Sequence, residues 1–407
     1  MNIQVIKQAI LSSPLERIPE KMRTLLANEL PFVDVHTHLF NYKDVPDKFL
    51  GVRFPMHANI LQWTENILDA IIPWDAEDSL SLLADFIDEI NSEHSEEVFQ
   101  HLCSFYRDDV IFGVLTMDMS IGIEGNVMHE WEMQMEIIKQ LRDKHPTRIV
   151  PFAAIDPRRE DALNKFHQAF AADGPYQFAG LKIYPSLGYV PSHPRMMQML
   201  EICEEKQIPV IAHCSGASVK ASSNVLTVEY TELDQDGQQV HKSNEVVLET
   251  PQDYSDTFND PIHWTTVLEA YPNLKLNLAH FGGADQWNAY QVSTIHDTWV
   301  DTILGFMEKY PHVYADFSYT MAFPELGAAL QTMMTQNKTV RHRTLFGSDY
   351  YMLLQEGKYQ RMLDDFAGKM GADYMYQIGV HNTHRFLFGI EKEVTTEKKH
   401  VLTSKKV

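Results

Sequence analysis

The sequence predicts an α/β fold in which eight parallel strands, each followed by a helix, close into a (β/α)8 TIM barrel. Three observations predict it. Short β-branched runs alternate with helical stretches over most of the 407 residues, the order that wraps helices around a parallel sheet. Eight such runs occur, the number at which a parallel sheet closes on itself. Two stretches are too long to be simple connections, and both follow the C-terminal end of a strand, the face on which such barrels build their sites.

The eight runs are PFVDVH at 31–36, DVIFGVLTMD at 109–118, IVPFAAID at 149–156, AGLKIYP at 179–185, IPVIAHC at 208–214, NLKLNLAH at 273–280, HVYADFS at 312–318 and TLFGSD at 344–349. Before them, MNIQVIKQAILSSPLERI breaks its apolar residues with Lys7, Gln8 and Glu16 and reads as an amphipathic helix rather than a secretory signal. In SHPRMMQMLEICEEKQ, Met196, Leu200 and Cys203 recur at helical spacing behind Ser192 and Pro194, and the helix stops before Pro209. HWTTVLEAY likewise ends at Pro272 and leads into the next strand. Residues 37–109 carry several helical patterns, DSLSLLADFIDEINSE among them, and predict a helical lobe over one barrel end. Residues 215–262 hold two alternating runs about Gln235, Asp236 and Gly237, the signature of a β-hairpin. The tail EKEVTTEKKHVLTSKKV has no periodicity and reads as a frayed end. The whole is expected to be a single barrel domain over 1–407 with these two insertions.

Composition narrows the function. The formal net charge of −22 repels nucleic acid phosphates and anionic lipid heads, leaving a small molecule as the expected partner. Three cysteines in no C-x-x-C spacing fit a reducing, cytoplasmic compartment and argue against a thiolate zinc site. No apolar run approaches the roughly 18 residues of a membrane span. Neither a phosphate-cradling glycine loop nor a serine nucleophile elbow occurs.

The strongest chemical signal is VDVHTHLF. Strand alternation puts Asp34, His36 and His38 on one face, expected to be the barrel interior, with Val33 and Val35 under the helices. Two imidazoles two residues apart on a strand end converge well on a divalent cation. Loop-satisfied histidines would look the same, so the other strand ends decide. His213 closes IPVIAHC, His280 closes NLKLNLAH ahead of Gly282 and Gly283, and Asp349 closes TLFGSD. Each alone could be a cap or a core residue. Together, in the order His-x-His, His, His, Asp, they are hard to explain by accident.

With VDVHTHLF, GLKIYPSLGY, IPVIAHCSG, YPNLKLNLAHFGG and LFGSDYY, the chain resembles the amidohydrolase superfamily of metal-dependent hydrolases. It is closest in style to the amidohydrolase-2 branch, which is like aminocarboxymuconate-semialdehyde decarboxylase. The resemblance spans the strands but neither insertion nor either terminus. It implies that His36, His38, His213 and Asp349 ligate a metal, and that His280 contacts the water and substrate or a second metal. It also gives Lys182 one of two readings: a carboxylated lysine bridging two metals, as in binuclear members, or a cation paired with an acid such as Asp118 or Asp34. Such barrels often associate, so a homo-oligomer is left open; no interface can be read.

A nitrogen-rich donor set with one carboxylate suits zinc, and also manganese, iron or nickel, as one or two ions. Asp349 would act as general base and then acid, with His280 orienting water or polarising a carbonyl. Arg158 could bind a substrate carboxylate, and Tyr184 and Asp118 could face substrate, although a solvated arginine, a packed tyrosine and a capping aspartate are the blander readings. Trp63, Trp74, Tyr189, Tyr319 and Tyr350 are further aromatic candidates, and Asp156 and Asp316 end strands where they could hydrogen-bond to substrate or to residues behind the site, with a cap or loop anchor the blander reading. The leading expectation is hydrolysis of an amide, lactone or ester-like carbonyl. The alternatives are a decarboxylase or hydratase of a small carboxylate, and a metal-binding barrel without catalysis.

Overall fold

The computed structural model describes residues 2–46, 86, 88–216 and 218–391. Most of the expected helical lobe, including Trp63 and Trp74, and the tail after Glu391 lie outside the described residues. Eight parallel strands form one sheet: β1 (Val33–Thr37), β2 (Ile111–Leu115), β3 (Ile149–Ala154), β4 (Gly180–Ile183), β5 (Val210–Ser215), β8 (Leu276–Gly282), β9 (Val313–Asp316) and β10 (Thr344–Leu345). The sheet is a TIM barrel, as the strand count predicts. Its seam is held by Val35 N–H donating to Phe346 O at 3.0 Å and Asp349 N–H donating to His36 O at 2.8 Å.

Between β5 and β8 the chain leaves the barrel. There β6 (Val225–Leu233) and β7 (Gln239–Val247) pair antiparallel, from Val225 opposite Val247 to Leu233 opposite Gln239. Their loop is fixed by Asp234, whose carboxylate accepts the N–H of Asp236 at 2.9 Å and of Gln238 at 2.8 Å. Leu226, Tyr230 and Val246 pack with Val190, Val228, Leu248, Tyr254 and Phe258, so the hairpin sits on a small apolar base of its own.

Apolar residues divide into two layers. Phe112, Val114, Leu181, Ile183, Val210, Ala212, Leu276, Leu278, Val313 and Ala315 pack outward under the helices. The alternating residues Ile111, Val150, Phe152, Ile211, Ala279, Tyr314 and Leu345 fill the interior. Ile18, Met22 and Leu26 join this inner layer from the N-terminal segment, and Phe386, Leu387 and Phe388 from the last helix, Asn382–Phe388, closing one end of the barrel. The amphipathic helix read over the first 18 residues is shorter than expected: it spans Ile3–Ala9, because Ile10 bridges to Ala171 and Pro14 starts a separate 3₁₀ turn, Pro14–Arg17. The helices Pro194–Lys206 and Thr265–Ala270 lie where periodicity places them. Among the described residues no helix is long and apolar enough to cross a membrane.

Strand β1 departs from simple alternation. Val33 and Val35 belong to the inner layer, not to the helix-facing one, while Asp34 meets Tyr106, 2.8 Å from its hydroxyl, in the outer layer. An irregularity in the β1–β2 register between Asp34 and Thr37 separates Asp34 from the two histidines. One inserted residue reverses the facing of everything after it. The expectation that Asp34 shares a face with His36 and His38 is therefore corrected: the bulge turns the histidines inward and leaves the aspartate outside.

His384 gives the fold a pH dependence. It is buried in the closing helix, with Nε2 donating to Pro31 O at 2.7 Å, and burial pushes its pKa down to about 4. An unfolded chain takes up that proton near pH 6.5, so between about pH 6.5 and 4 the unfolded state binds a proton that the folded state refuses. Stability should fall as pH drops through this window. In urea titrations across it, His384→Gln, which keeps a donor to Pro31 without an ionisable ring, should show a shallower decline than the wild type.

Candidate active site

The histidines and Asp349 meet at the C-terminal end of the barrel, where β1, β5, β8 and β10 deliver them. One nitrogen each of His36 and His280 and an oxygen of Asp349 lie within 4.8 Å of one another, and all three residues are buried. His38 Nε2 is 3.8 Å from Asp349 Oδ1. His213 Nδ1 is 3.0 Å from His280 Nε2. The five residues that the sequence singles out at strand ends thus form one cluster.

Backbone geometry aims them. β10 is only two residues long, and four residues beyond it Asp349 turns the chain sharply, with φ 55° and ψ 39° in the left-handed region. Strand TLFGSD is therefore shorter than alternation predicts. On β8 four consecutive residues, His280, Phe281, Gly282 and Gly283, have positive φ. Glycine takes this region at no steric cost but His280 and Phe281 do not, so neighbours must hold them. His280 N–H donates to Asp316 Oδ1 at 3.1 Å, and its carbonyl accepts from Thr320 Oγ1 at 2.9 Å.

Hydrogen bonds fix the imidazole tautomers. His36 Nδ1 lies 3.1 Å from Asp316 Oδ2, and His38 Nδ1 lies 3.0 Å from Leu115 O. Both acceptors require Nδ1–H, which leaves each Nε2 a lone pair. His280 Nδ1 donates to Ser318 O at 3.1 Å. Its Nε2 then accepts from His213 Nδ1–H, leaving Nε2 of His213 unprotonated. Burial pushes His280 down to about 3 and His38 well below its ordinary value, so both rings are neutral. Neutral imidazoles whose other nitrogens are held by a carboxylate or carbonyl are the form in which histidine binds metal.

Two of the buried polar atoms without a hydrogen-bond partner bear on the cluster. Asp349 Oδ1 and Lys182 Nζ accept or donate no hydrogen bond. Burial raises the Asp349 carboxyl above its usual range, against the pull of His36 and Lys182. Burial lowers the Lys182 amine to about 8, opposed by Asp316 and Asp349. An orphaned carboxylate oxygen among neutral imidazoles fits a divalent cation. Neither acid expected for Lys182 reaches it: Asp118 pairs with Arg159 at 2.6 Å, and Asp34 faces outward.

Arg158 and Asp118, expected at the substrate, are committed elsewhere. Arg158 Nη2 bonds Asp156 at 2.5 Å and Leu187 O at 2.8 Å, while Asp118 takes Arg159 bidentately and accepts Asp156 N–H at 2.8 Å. Each guanidinium is neutralised by a buried carboxylate. Tyr184 does stand at the cluster: its ring stacks on His213 at 4.4 Å, and its hydroxyl accepts Val219 N–H at 3.3 Å.

Sequence reasoning missed Ser318 and Asn277, and preferred a capping role for Asp316 over the supporting hydrogen bonds that it makes to the cluster. Asp316 is fully buried, and besides His36 it accepts Asn277 Nδ2 at 2.6 Å and Ser318 N–H at 3.1 Å. Ser318 Oγ is 3.0 Å from Nδ1 of both His36 and His280. The signal lay in alternation: Asn277 precedes His280 on a strand of leucines, and polar residues on a buried strand need a partner.

The profile of the amidohydrolase family matches residues 125–389, more than half of the chain, beginning after the strand of His36 and His38. No curated protein matches. Among solved structures, a TIM-barrel protein from Bordetella bronchiseptica has 15% identity and TM-score 0.50, covering 88% of this chain and 98% of that one. A 2,6-dihydroxybenzoate decarboxylase has 11% identity and TM-score 0.50 over the same shares. A dihydroxybenzoic acid decarboxylase from Polaromonas sp. JS666, with bound manganese and the inhibitor 2-nitroresorcinol, has 12% identity and TM-score 0.50, covering 88% and 97%. These likenesses are of fold. With its profile match, its eight-stranded barrel and its cluster at the strand ends, the chain belongs to the amidohydrolase family.

Proposed function

We propose that this chain is a metal-dependent enzyme that hydrolyses an ester-, lactone- or amide-type carbonyl of a small molecule. The observation that carries the reading is Asp349 Oδ1, buried and without a partner beside His38. His36, His38, His213 and Asp349 would hold the ion, with His280 behind His213. A divalent ion there supplies Lewis acidity. Zinc is the first expectation from the donor set, with manganese, iron and nickel close behind. Asp349, its pKa raised by burial, accepts a proton from water and returns it to the leaving group. The His280–His213 pair fixes the orientation of both rings through Ser318.

A second reading, decarboxylation, is favoured by Lys182. Its amine is buried and unpaired, and a substrate carboxylate would give it a counter-ion. The decarboxylases of like fold support this reading. Both readings place the substrate at the same atoms.

Elemental analysis, with bicarbonate present during growth and purification, should find a transition metal near stoichiometry. About one ion per chain makes Lys182 a free amine, and about two makes it a carboxylated bridge. The loaded protein is then offered lactones, esters and amides with product-acid readout, and dihydroxybenzoates with CO₂ readout. Turnover of the first set assigns hydrolysis, and of the second decarboxylation. Asp349→Asn should lose about 10²- to 10⁴-fold in turnover, the ordinary worth of a positioned acid–base. Loss of neither activity in this variant with metal retained would sink the proton-carrier role. Asp316→Asn, which removes the charge and one of the two acceptor oxygens that hold His36, Asn277 and Ser318, should weaken metal binding by about 10- to 100-fold in chelator competition while the fold persists.

A further inference from the structure

Tyr319 follows β9 with φ 56° and ψ −49°. Thr320 N–H donates to Ser318 O at 2.5 Å across it, which makes a γ-turn with positive φ at its centre. This turn is rare and strained, and a non-glycine residue held so costs about 1–3 kcal/mol. Glycine would relieve the strain, so the tyrosine side chain has a use that glycine lacks.

The turn is built into the site from both sides. Ser318, before it, bonds the Nδ1 atoms of His36 and His280 at 3.0 Å. Thr320, after it, bonds His280 O at 2.9 Å. Tyr319 N–H itself donates to Ser348 O at 3.2 Å, next to Asp349. The tyrosine is half-buried. Its hydroxyl donates to Glu356 Oε1 at 2.5 Å, and Glu356 is exposed. Burial and the Glu356 carboxylate raise the phenol far above its ordinary value, so it remains a donor at every working pH. A donor whose acceptor is an exposed carboxylate can exchange it for another anion.

We propose that Tyr319 is a substrate-contacting residue, held beside the cluster by the γ-turn between Ser318 and Thr320, whose phenol leaves Glu356 to donate a hydrogen bond to an anionic oxygen of the substrate. This rests on the reading of the cluster as a metal site for an oxygen-bearing substrate. It also accounts for the strain, since the turn gives Tyr319 a direction that an extended residue after β9 would not have.

The test uses the full chain loaded with manganese and 2-nitroresorcinol as probe, titrated by its absorbance. Tyr319→Phe should bind the probe about tenfold more weakly or worse, the loss expected for a hydrogen bond to a charged group, with metal content and thermal midpoint unchanged. In parallel, Tyr319→Gly should melt above Tyr319→Ala, the reverse of their usual order, because only alanine carries the strain. Wild-type affinity in Tyr319→Phe overturns the contact, and a glycine variant melting below the alanine variant overturns the strain argument behind it. If the manganese-loaded wild type fails to bind the probe, the contact and the oxygen-ligand reading fall together; if it binds and Tyr319→Phe binds equally, only the contact falls.

Discussion

The site depends on one buried carboxylate. Asp316 has no exposed surface, yet against the cost of burial its carboxyl is held well below the usual range by hydrogen bonds from His36 and Ser318. From β9 it reaches His36 on β1, Asn277 and the backbone of His280 on β8, and Ser318 beyond its own strand. A buried charge is tolerated when its acceptor sites are filled by donors, and here four separate groups fill them. Each of those groups is thereby fixed in rotamer or tautomer. The carboxylate is thus what turns strand ends from different parts of the barrel into one rigid constellation.

Rigidity at this end of the barrel is bought with backbone strain. His280, Phe281, Tyr319 and Asp349 all have positive φ without being glycine. Three of these residues lie in or beside the cluster, and each is held by hydrogen bonds from a neighbouring strand end: His280 by Asp316 and Thr320, Tyr319 by Ser348, Asp349 by His36. The brace is mutual. Releasing one turn would loosen the atom that holds the next, which is how a set of individually costly conformations persists in one place.

The barrel was legible in the sequence because buried parallel strands are short apolar runs and the intervening helices carry their own period. The residues of the cluster were legible because each ends such a run, where a histidine or aspartate is conspicuous. The facing of Asp34 was not, since a bulge adds one residue to β1 and leaves no mark in composition. The partners of Ser318 and Asn277 were hidden for a different reason. Their roles are relations between strands, Asn277 to Asp316 across β8 and β9, and Ser318 to His36 across the barrel seam, and periodicity along one strand carries no information about its neighbour. Arg158 misled in the same way: as a sequence neighbour of a strand end it looks like an anion hook, and only the register of β2 and β3 shows that Asp156 and Asp118 consume both guanidinium groups.

That neutralisation bears on what the site can accept. With Arg158 and Arg159 paired, Lys182 is a buried cation near the cluster that has no hydrogen bond of its own. Its amine, lowered to about 8, stays mostly protonated at neutral pH yet has a neutral fraction that an ordinary lysine lacks. The charged form attracts a single substrate anion, and the neutral form is the one that can be carboxylated. Burial alone therefore makes both readings of Lys182 chemically available. The choice between them is made by the charge that arrives: a second cation stabilises the carboxylated form, whereas an anionic substrate stabilises the ammonium. If the cluster holds metal as proposed, this lysine on β4 would tie the number of ions to the charge of the substrate.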